Sequence, residues 1–231
     1  MNKIISQLKA VSNPQIAEGS RRFFKTGKGD YGEGDKFLGI RVPILHKIAK
    51  EYAHISLTEI LALLKSPFHE IRLVSLFILT LKYEKSDQND KEKIVNVYLG
   101  HTAYINNWDL VDTSAHKILG DYLFDKKKDL LYRLARSKLL WERRIAIIAT
   151  FKFIKNGSYH DTIKLSEILV NDKEDLLQKA VGWMLREVGK KDLNLEMNFL
   201  NKYSERMPRT MLRYAVEKFP EHLRQKYLQK S

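Results

Sequence analysis

KAVGWMLRE, residues 179–187, is the stretch that decides the fold class of this chain. Its spacing is helical, because Lys179, Trp183 and Arg186 fall at i, i+4 and i+7 and share one face of an α-helix. Lys190, at i+11, extends that face. A tryptophan among cations is typical of a surface that binds a nucleic-acid backbone and stacks on a base. The alternative is a charged face that only meets solvent.

The same period, near 3.6 residues, runs through nearly every other segment, and no stretch alternates β-branched residues with period two. Signals that begin or end helices are frequent. They are Pro14 after Asn13, the capping box at residues 56–59, Pro67 after Ser66, Asn107 before Trp108, Asn156 with Gly157, Pro208 and Pro220. The pattern predicts an all-α fold of about a dozen short helices.

We interpret these helices as antiparallel pairs stacked into a superhelical, HEAT-like array with a concave basic surface. Residues 1–231 would then form a single helical-repeat domain. A compact all-α bundle is the alternative. The array is favoured because successive helices are short and similar and none is long enough to anchor a bundle.

Charge favours a polyanionic partner. The 231 residues include 41 Lys and Arg against 28 Asp and Glu, a net charge of +13. The excess is +2 over residues 1–125, +7 over residues 126–190 and +4 over residues 191–231. A field of this kind steers and binds nucleic acid through counterion release. Charge alone does not decide the matter, since many small basic proteins bind no nucleic acid.

Several chemistries lack sequence support. The chain has no cysteine, and its seven histidines show no metal-ligand spacing, so we predict no metal and no cofactor. No apolar run is long enough to span a membrane, and the N-terminus lacks the apolar core of a signal peptide. We expect a cytoplasmic protein, associated with the nucleoid through DNA, and no membrane partner.

The glycine-rich segment at residues 26–36 contains a formal Gly-x-Gly-x-x-Gly. That motif holds a pyrophosphate only between a strand and the start of a helix. Here the preceding residues 21–24 read as helix, and no helix begins directly after it. We therefore reject a dinucleotide site.

Asp112 is the best candidate for chemistry. It lies four residues after Trp108, so the two side chains share a helix face. The alternatives are an ordinary helix carboxylate, paired with His116 at i+4, and a tryptophan that packs in the core. A second basic row combines Arg144, Lys152 and Lys155.

Equivalent helices of a stacked array line one concave surface. Two tryptophans and Asp112 would then be surrounded by cations. An acid in a polyanion-binding groove weakens binding, so its presence there indicates chemistry on an electron-poor centre.

The chain resembles the AlkD family of HEAT-like-repeat DNA alkylation-repair glycosylases. The segments that carry the resemblance span nearly the whole chain and are residues 37–43, 107–112, 141–147, 179–187 and 207–215. The resemblance implies helical repeats wrapped on duplex DNA that release cationic N3- or N7-alkylated purines. The chain departs from the family's pattern at Phe23, where a member of the family has a tyrosine, and in a longer glycine-rich loop at 27–34.

Residue roles follow from the same resemblance. Trp108 and Trp183 match the aromatic pair that packs against the deoxyribose of the lesion, and Asp112 matches the catalytic carboxylate. The residues that would bind DNA are Arg144, Lys152 and Arg186, which match backbone-binding cations of the family, together with Lys179, Lys190 and Arg143.

The leading hypothesis is a glycosylase that hydrolyses the N-glycosidic bond of alkylated purines such as N7-methylguanine and N3-methyladenine. Its partner would be double-stranded DNA carrying alkylated bases, with no obligate protein partner. One alternative is a non-catalytic helical-repeat module that binds damaged or branched DNA. Another is a protein-binding scaffold. Asp112 separates the first hypothesis from the second, because a pure binder gains nothing from an acid in its groove.

Overall fold

A computed structural model of the chain describes residues 2–229, with the side chain of Asn2 excepted. Its regular structure over those residues is helical, which confirms the all-α prediction. The α-helices are α1 (Asn2–Ala10), α2 (Pro14–Phe23), α3 (Val42–Glu51), α4 (Leu57–Leu64), α5 (His69–Lys85), α6 (Gln88–Leu99), α7 (Trp108–Ala115), α8 (Asp121–Leu123), α9 (Asp129–Leu134), α10 (Leu140–Ala149), α11 (Phe151–Lys155), α12 (His160–Leu169), α13 (Asp175–Gly189), α14 (Leu193–Tyr203), α15 (Arg209–Ala215) and α16 (Glu221–Leu228). The other helical segments are 3₁₀ turns at Thr102–Tyr104, Ser204–Arg206 and Val216–Lys218 and a π-helix at His116–Gly120.

Most predicted helix starts are confirmed, because each depends on hydrogen bonds between residues that are close in the sequence. The side chain of Asn13 accepts from the backbone of Ile16 at 3.0 Å, and Pro14 opens α2. Ser56 and Glu59 form the reciprocal capping box of α4.

Pro67 lies between two helices, as its place among the predicted start and stop signals requires: α4 ends at Leu64 and α5 begins at His69. A bridge to the glycine-rich loop holds the intervening chain extended. Lys36 donates its amide to the Pro67 carbonyl at 3.1 Å and accepts from the His69 amide at 2.8 Å. Because the Pro67 carbonyl and the His69 amide are hydrogen-bonded to Lys36, the chain between them stays extended and the helix begins at His69.

The chain divides into two compact units, one ending at Ser114 and one beginning at Ala115. In the first unit α5 is the core helix, packed against α3 and α4, with every residue from Ile71 to Thr80 buried. In the second unit α13 packs against α10, α14 and α15. The single repeat domain, the superhelical array and its concave surface stay predictions.

The glycine-rich loop lies between α2 and α3, and the structure confirms both flanks that exclude a dinucleotide site. A helix, not a strand, precedes the loop, and the next helix begins only at Val42. Two backbone amides of the loop donate to carboxylates of the loop itself, Gly27 to Asp30 at 3.1 Å and Gly29 to Glu33 at 2.8 Å. Acids therefore occupy positions that a pyrophosphate would need. Over residues 2–229, no helix is both long and apolar enough to cross a bilayer.

Candidate functional site

Helix α7 carries the predicted aromatic and acidic pair in the first unit. Asn107 precedes the helix, and its side-chain oxygen accepts from the Trp108 amide at 2.8 Å. Trp108 and Asp112 are both half-buried and lie one turn apart. Burial is the main cause of a raised pKa at Tyr98; the hydrogen bond with Ser114 opposes it and the charge of Asp112 adds to it. The Asp112 carboxylate is therefore close enough to the buried hydroxyl of Tyr98 to disfavour its ionisation.

Trp108 belongs to an aromatic cluster that the sequence analysis missed. Its indole stacks on the ring of Phe24, with centroids 5.5 Å apart and planes 23° apart. The ring of Phe23 meets it edge-on at 5.9 Å and is 65% exposed. The signal in the sequence was two adjacent phenylalanines at the end of α2, but nothing in their spacing related them to Trp108. The cluster presents aromatic surface beside the α7 carboxylate.

The neighbouring acid, Asp109, is held by a buried histidine. Its carboxylate lies 2.8 Å from Nε2 of His69, on the first turn of α5. This ion pair connects the first turn of α7 to the first turn of α5.

Trp183 lies on α13 in the second unit and is half-buried. Its ring packs against Phe151, with centroids 5.6 Å apart, and the ring of His116 meets the same phenylalanine edge-on at 5.5 Å. The indole nitrogen donates to Glu187 at 3.1 Å. Trp183 is therefore a partly exposed surface tryptophan and not a core residue.

The cations predicted to share its face do so, since the buried residues of α13 lie on the other side of the helix. Each of these cations also has a carboxylate partner. Lys179 pairs with Asp175 at 2.7 Å, Lys190 pairs with Glu187 at 2.7 Å, and Arg186 pairs with Glu217 and more distantly with Glu187. A phosphate would have to compete with these acids.

The second basic row is divided by burial. Arg144 is only 5% exposed, and its guanidinium donates to the backbone carbonyl of Leu176, so it joins α10 to α13. The other two members are closer to solvent: Lys152 pairs with Asp121 at 2.8 Å, and the ammonium of Lys155 lies 4.3 Å from the ring centre of Phe151. Arg143, the neighbour of Arg144 in the sequence, pairs with Asp172 at 2.9 Å. The contacts of all these cations with DNA stay predictions.

The two units differ in net charge, as the uneven distribution of charge along the sequence suggests. Residues up to Ser114 carry 16 basic and 13 acidic side chains, and those from Ala115 onward carry 25 and 15. Trp108 and Asp112 thus belong to the nearly neutral unit, and Trp183 and the predicted DNA-binding cations to the strongly basic one. In the part of the chain that the structure describes, no group of three or more His, Asp or Glu side chains could hold a metal ion.

Comparison with known proteins identifies the family of the chain. The model of a family described as DNA alkylation repair enzyme matches residues 4–219. Among solved structures, the chain is similar to a predicted DNA alkylation repair enzyme from Enterococcus faecalis, with a TM-score of 0.71 and 15% identity, over 91% of this chain and 97% of that one. At that identity the likeness shows the fold alone. No curated protein matches the chain.

Proposed function

This chain belongs to the family of DNA alkylation repair enzymes, and on that basis we propose that it is a DNA glycosylase for cationic alkylated purines in duplex DNA. It would hydrolyse the N-glycosidic bond of bases such as N7-methylguanine and N3-methyladenine. Its substrate would place it in the cytoplasm, at the nucleoid.

The observation that carries the proposal is the pair formed by Trp108 and Asp112 on α7. Both side chains are partly exposed and lie on one helix face, and the exposed ring of Phe23 lies against Trp108. Asp109 is bound by His69 and supports the helix, and we assign the chemical role to Asp112. Aromatic surface beside a carboxylate suits a deoxyribose whose ring acquires positive charge.

The chemistry requires little more than this carboxylate. An alkylated purine already carries a positive charge, so its glycosidic bond is weak and the base leaves without protonation. The sugar then develops oxocarbenium character, and a nearby anion stabilises that charge or orients the attacking water. Asp112 would supply the anion.

We place the backbone of the DNA duplex on the second unit. Its excess of ten positive charges suits a polyanion. Lys152, Lys179 and Lys190 are partly or fully exposed and can exchange a carboxylate partner for a phosphate. Arg186 would do so at the expense of its pair with Glu217.

The test is to incubate the purified protein with methylated duplex DNA and to quantify free 7-methylguanine and 3-methyladenine by chromatography. We expect release well above spontaneous depurination, and none from unmethylated duplex. Binding of methylated duplex without release of any base would contradict the glycosylase and support the non-catalytic DNA-binding module.

A further inference from the structure

A buried ionic cluster includes Asp109, the residue that follows Trp108. The imidazole of His69 is 2% exposed and faces two carboxylates, with Nε2 2.8 Å from Asp109 and Nδ1 3.5 Å from Asp35. Arg72, one turn along α5, binds the other oxygen of Asp35 at 2.8 Å. The charged groups that face His69 are thus Asp35, Asp109 and Arg72.

The ring of His69 also belongs to the aromatic cluster. It lies against Phe24, at a centroid distance of 4.7 Å, and against Phe37, at 4.9 Å and 23°. The ring of Phe24 stacks in turn on Trp108. His69 therefore supports Trp108 along two routes, one through the Phe24 ring and one through Asp109, the next residue of α7.

The protonation state of His69 determines how many of these contacts exist. A doubly protonated imidazolium presents an N–H to each of the two carboxylates, whereas the neutral ring has a single N–H, so one carboxylate loses its contact with an N–H of the ring. Burial acts to lower the pKa of His69, but the hydrogen bond and charge of Asp109 and the close contact with Asp35 outweigh burial and the charge of Arg72. The pKa of His69 is raised to about 9, so the ring is an imidazolium at neutral pH.

We propose that the His69 imidazolium is a positioning residue, which fixes Trp108 and, one turn further along α7, the carboxylate of Asp112. The inference rests on the proposed function only where it concerns catalysis. Its structural part, the dependence of the Trp108 environment on the His69 proton, stands without any reaction.

The structural part is tested in the full chain without DNA. Trp141→Phe and Trp183→Phe leave Trp108 as the single indole, whose emission is followed from pH 6 to pH 10.5. We expect a transition near pH 9 that His69→Gln abolishes. The imidazole nitrogens of His69, followed by NMR in histidine-labelled protein, should titrate with the same midpoint. Titration near the ordinary histidine pKa of about 6.5, or emission that does not respond to His69, would overturn the proposal.

A milder variant keeps the test decisive if His69→Gln folds poorly. Asp35→Asn removes one anionic partner of His69 and leaves every residue of α7 unsubstituted. It should lower the midpoint of the Trp108 transition by about one pH unit, since an opposite charge at this range shifts a pKa by about that amount. An unmoved midpoint would show that the cluster does not control Trp108.

The catalytic part is tested at pH 7 by single-turnover excision. His69→Gln should slow base release about 10- to 100-fold, the loss typical of a misplaced group, with little change in DNA affinity. His54→Gln, an exposed histidine of the same unit, is the matched control. Excision at the wild-type rate by His69→Gln would reject the positioning role. A protein that releases no alkylated base at all would instead reject the proposed function, and the spectroscopic result would be unaffected.

Discussion

The indole nitrogen of Trp183 donates a hydrogen bond to the carboxylate of Glu187, 3.1 Å away and one turn further along α13. The same carboxylate binds Lys190 at 2.7 Å and lies 3.7 Å from the guanidinium of Arg186. Three members of the predicted DNA-binding face therefore share one acid, which partly neutralises the face before any phosphate arrives.

Replacing Glu187 by Gln should tighten binding to undamaged duplex. The amide still accepts from the indole, but the charge that competes with phosphates for Arg186 and Lys190 is removed. The slope of log affinity against log salt should steepen by about one, as measured by fluorescence anisotropy. Glu84→Gln, at an exposed glutamate of α5, is the control. Equal affinity and slope in the two variants would remove α13 from the interface.

Asp112→Asn should lower single-turnover release of 7-methylguanine at saturating protein. It keeps the shape of the side chain and removes the anion, a change that costs about 10²–10³-fold in rate at electrostatic sites. DNA affinity should be retained or increase, since a negative charge is lost. Asp90→Asn, at an exposed acid of α6, is the control. Wild-type excision by Asp112→Asn would make Asp112 an ordinary helix carboxylate.

Arg144→Ala and Lys152→Ala should differ, although the sequence placed both cations in one basic row. Loss of the buried guanidinium removes its hydrogen bond to the Leu176 carbonyl, so the free energy of unfolding should fall by about 1–3 kcal/mol, a range that covers hydrogen bonds to charged groups. Lys152 pairs with Asp121 near the surface, so its loss should cost about 1 kcal/mol or less. Denaturant unfolding measures both. Equal costs would show that burial does not separate the two residues.

Gly39→Ala should destabilise the first unit. Gly39 has φ of +77°, and an added Cβ would lie 2.0 Å from the Asn13 carbonyl oxygen. The strained backbone alone should lower the free energy of unfolding by about 1–3 kcal/mol, and the clash should lower it further. Gly19→Ala is the matched control, because Gly19 is within α2 with open space around the added Cβ. There the substitution should be neutral or stabilise by up to about 1 kcal/mol. An unchanged thermal midpoint of unfolding in Gly39→Ala would contradict the close approach of Gly39 to the Asn13 carbonyl.

Glu196→Gln should flatten the dependence of stability on pH. Burial raises the pKa of Glu196, the charge of Arg186 opposes this and that of Glu187 adds to it, giving about 9. Between the ordinary value near 4.5 and 9, the folded state keeps a proton that the unfolded chain has released, so the free energy of unfolding falls as pH rises. The limiting slope is about 1.4 kcal/mol per pH unit.

Unfolding of wild type, Glu196→Gln and the exposed control Glu205→Gln should therefore be compared from pH 5 to pH 8. The Glu196→Gln variant should lose less stability than the other two over that interval. Parallel curves for all three proteins would show that Glu196 is ionised in the folded state.

The sequence by itself determined the helical fold, several of its boundaries and the family. These properties depend on neighbours along the chain. A period of 3.6 residues, an asparagine before Pro14 or a Ser56–Glu59 capping box acts within one or two turns, so it can be recognised without knowing what packs against it. The shared face of Trp183 and Arg186 followed for the same reason.

Only the tertiary structure decided which charged and aromatic side chains meet. His69 and Asp109 are 40 residues apart, and no spacing rule relates them. Phe24 and Phe37 enclose the His69 ring because the glycine-rich loop between them folds back on itself. Arg144 became a structural residue because α13 covers it, a contact absent from its own helix. Burial and long-range pairing arise from how helices pack, and a single sequence records that packing only through its local periodicity.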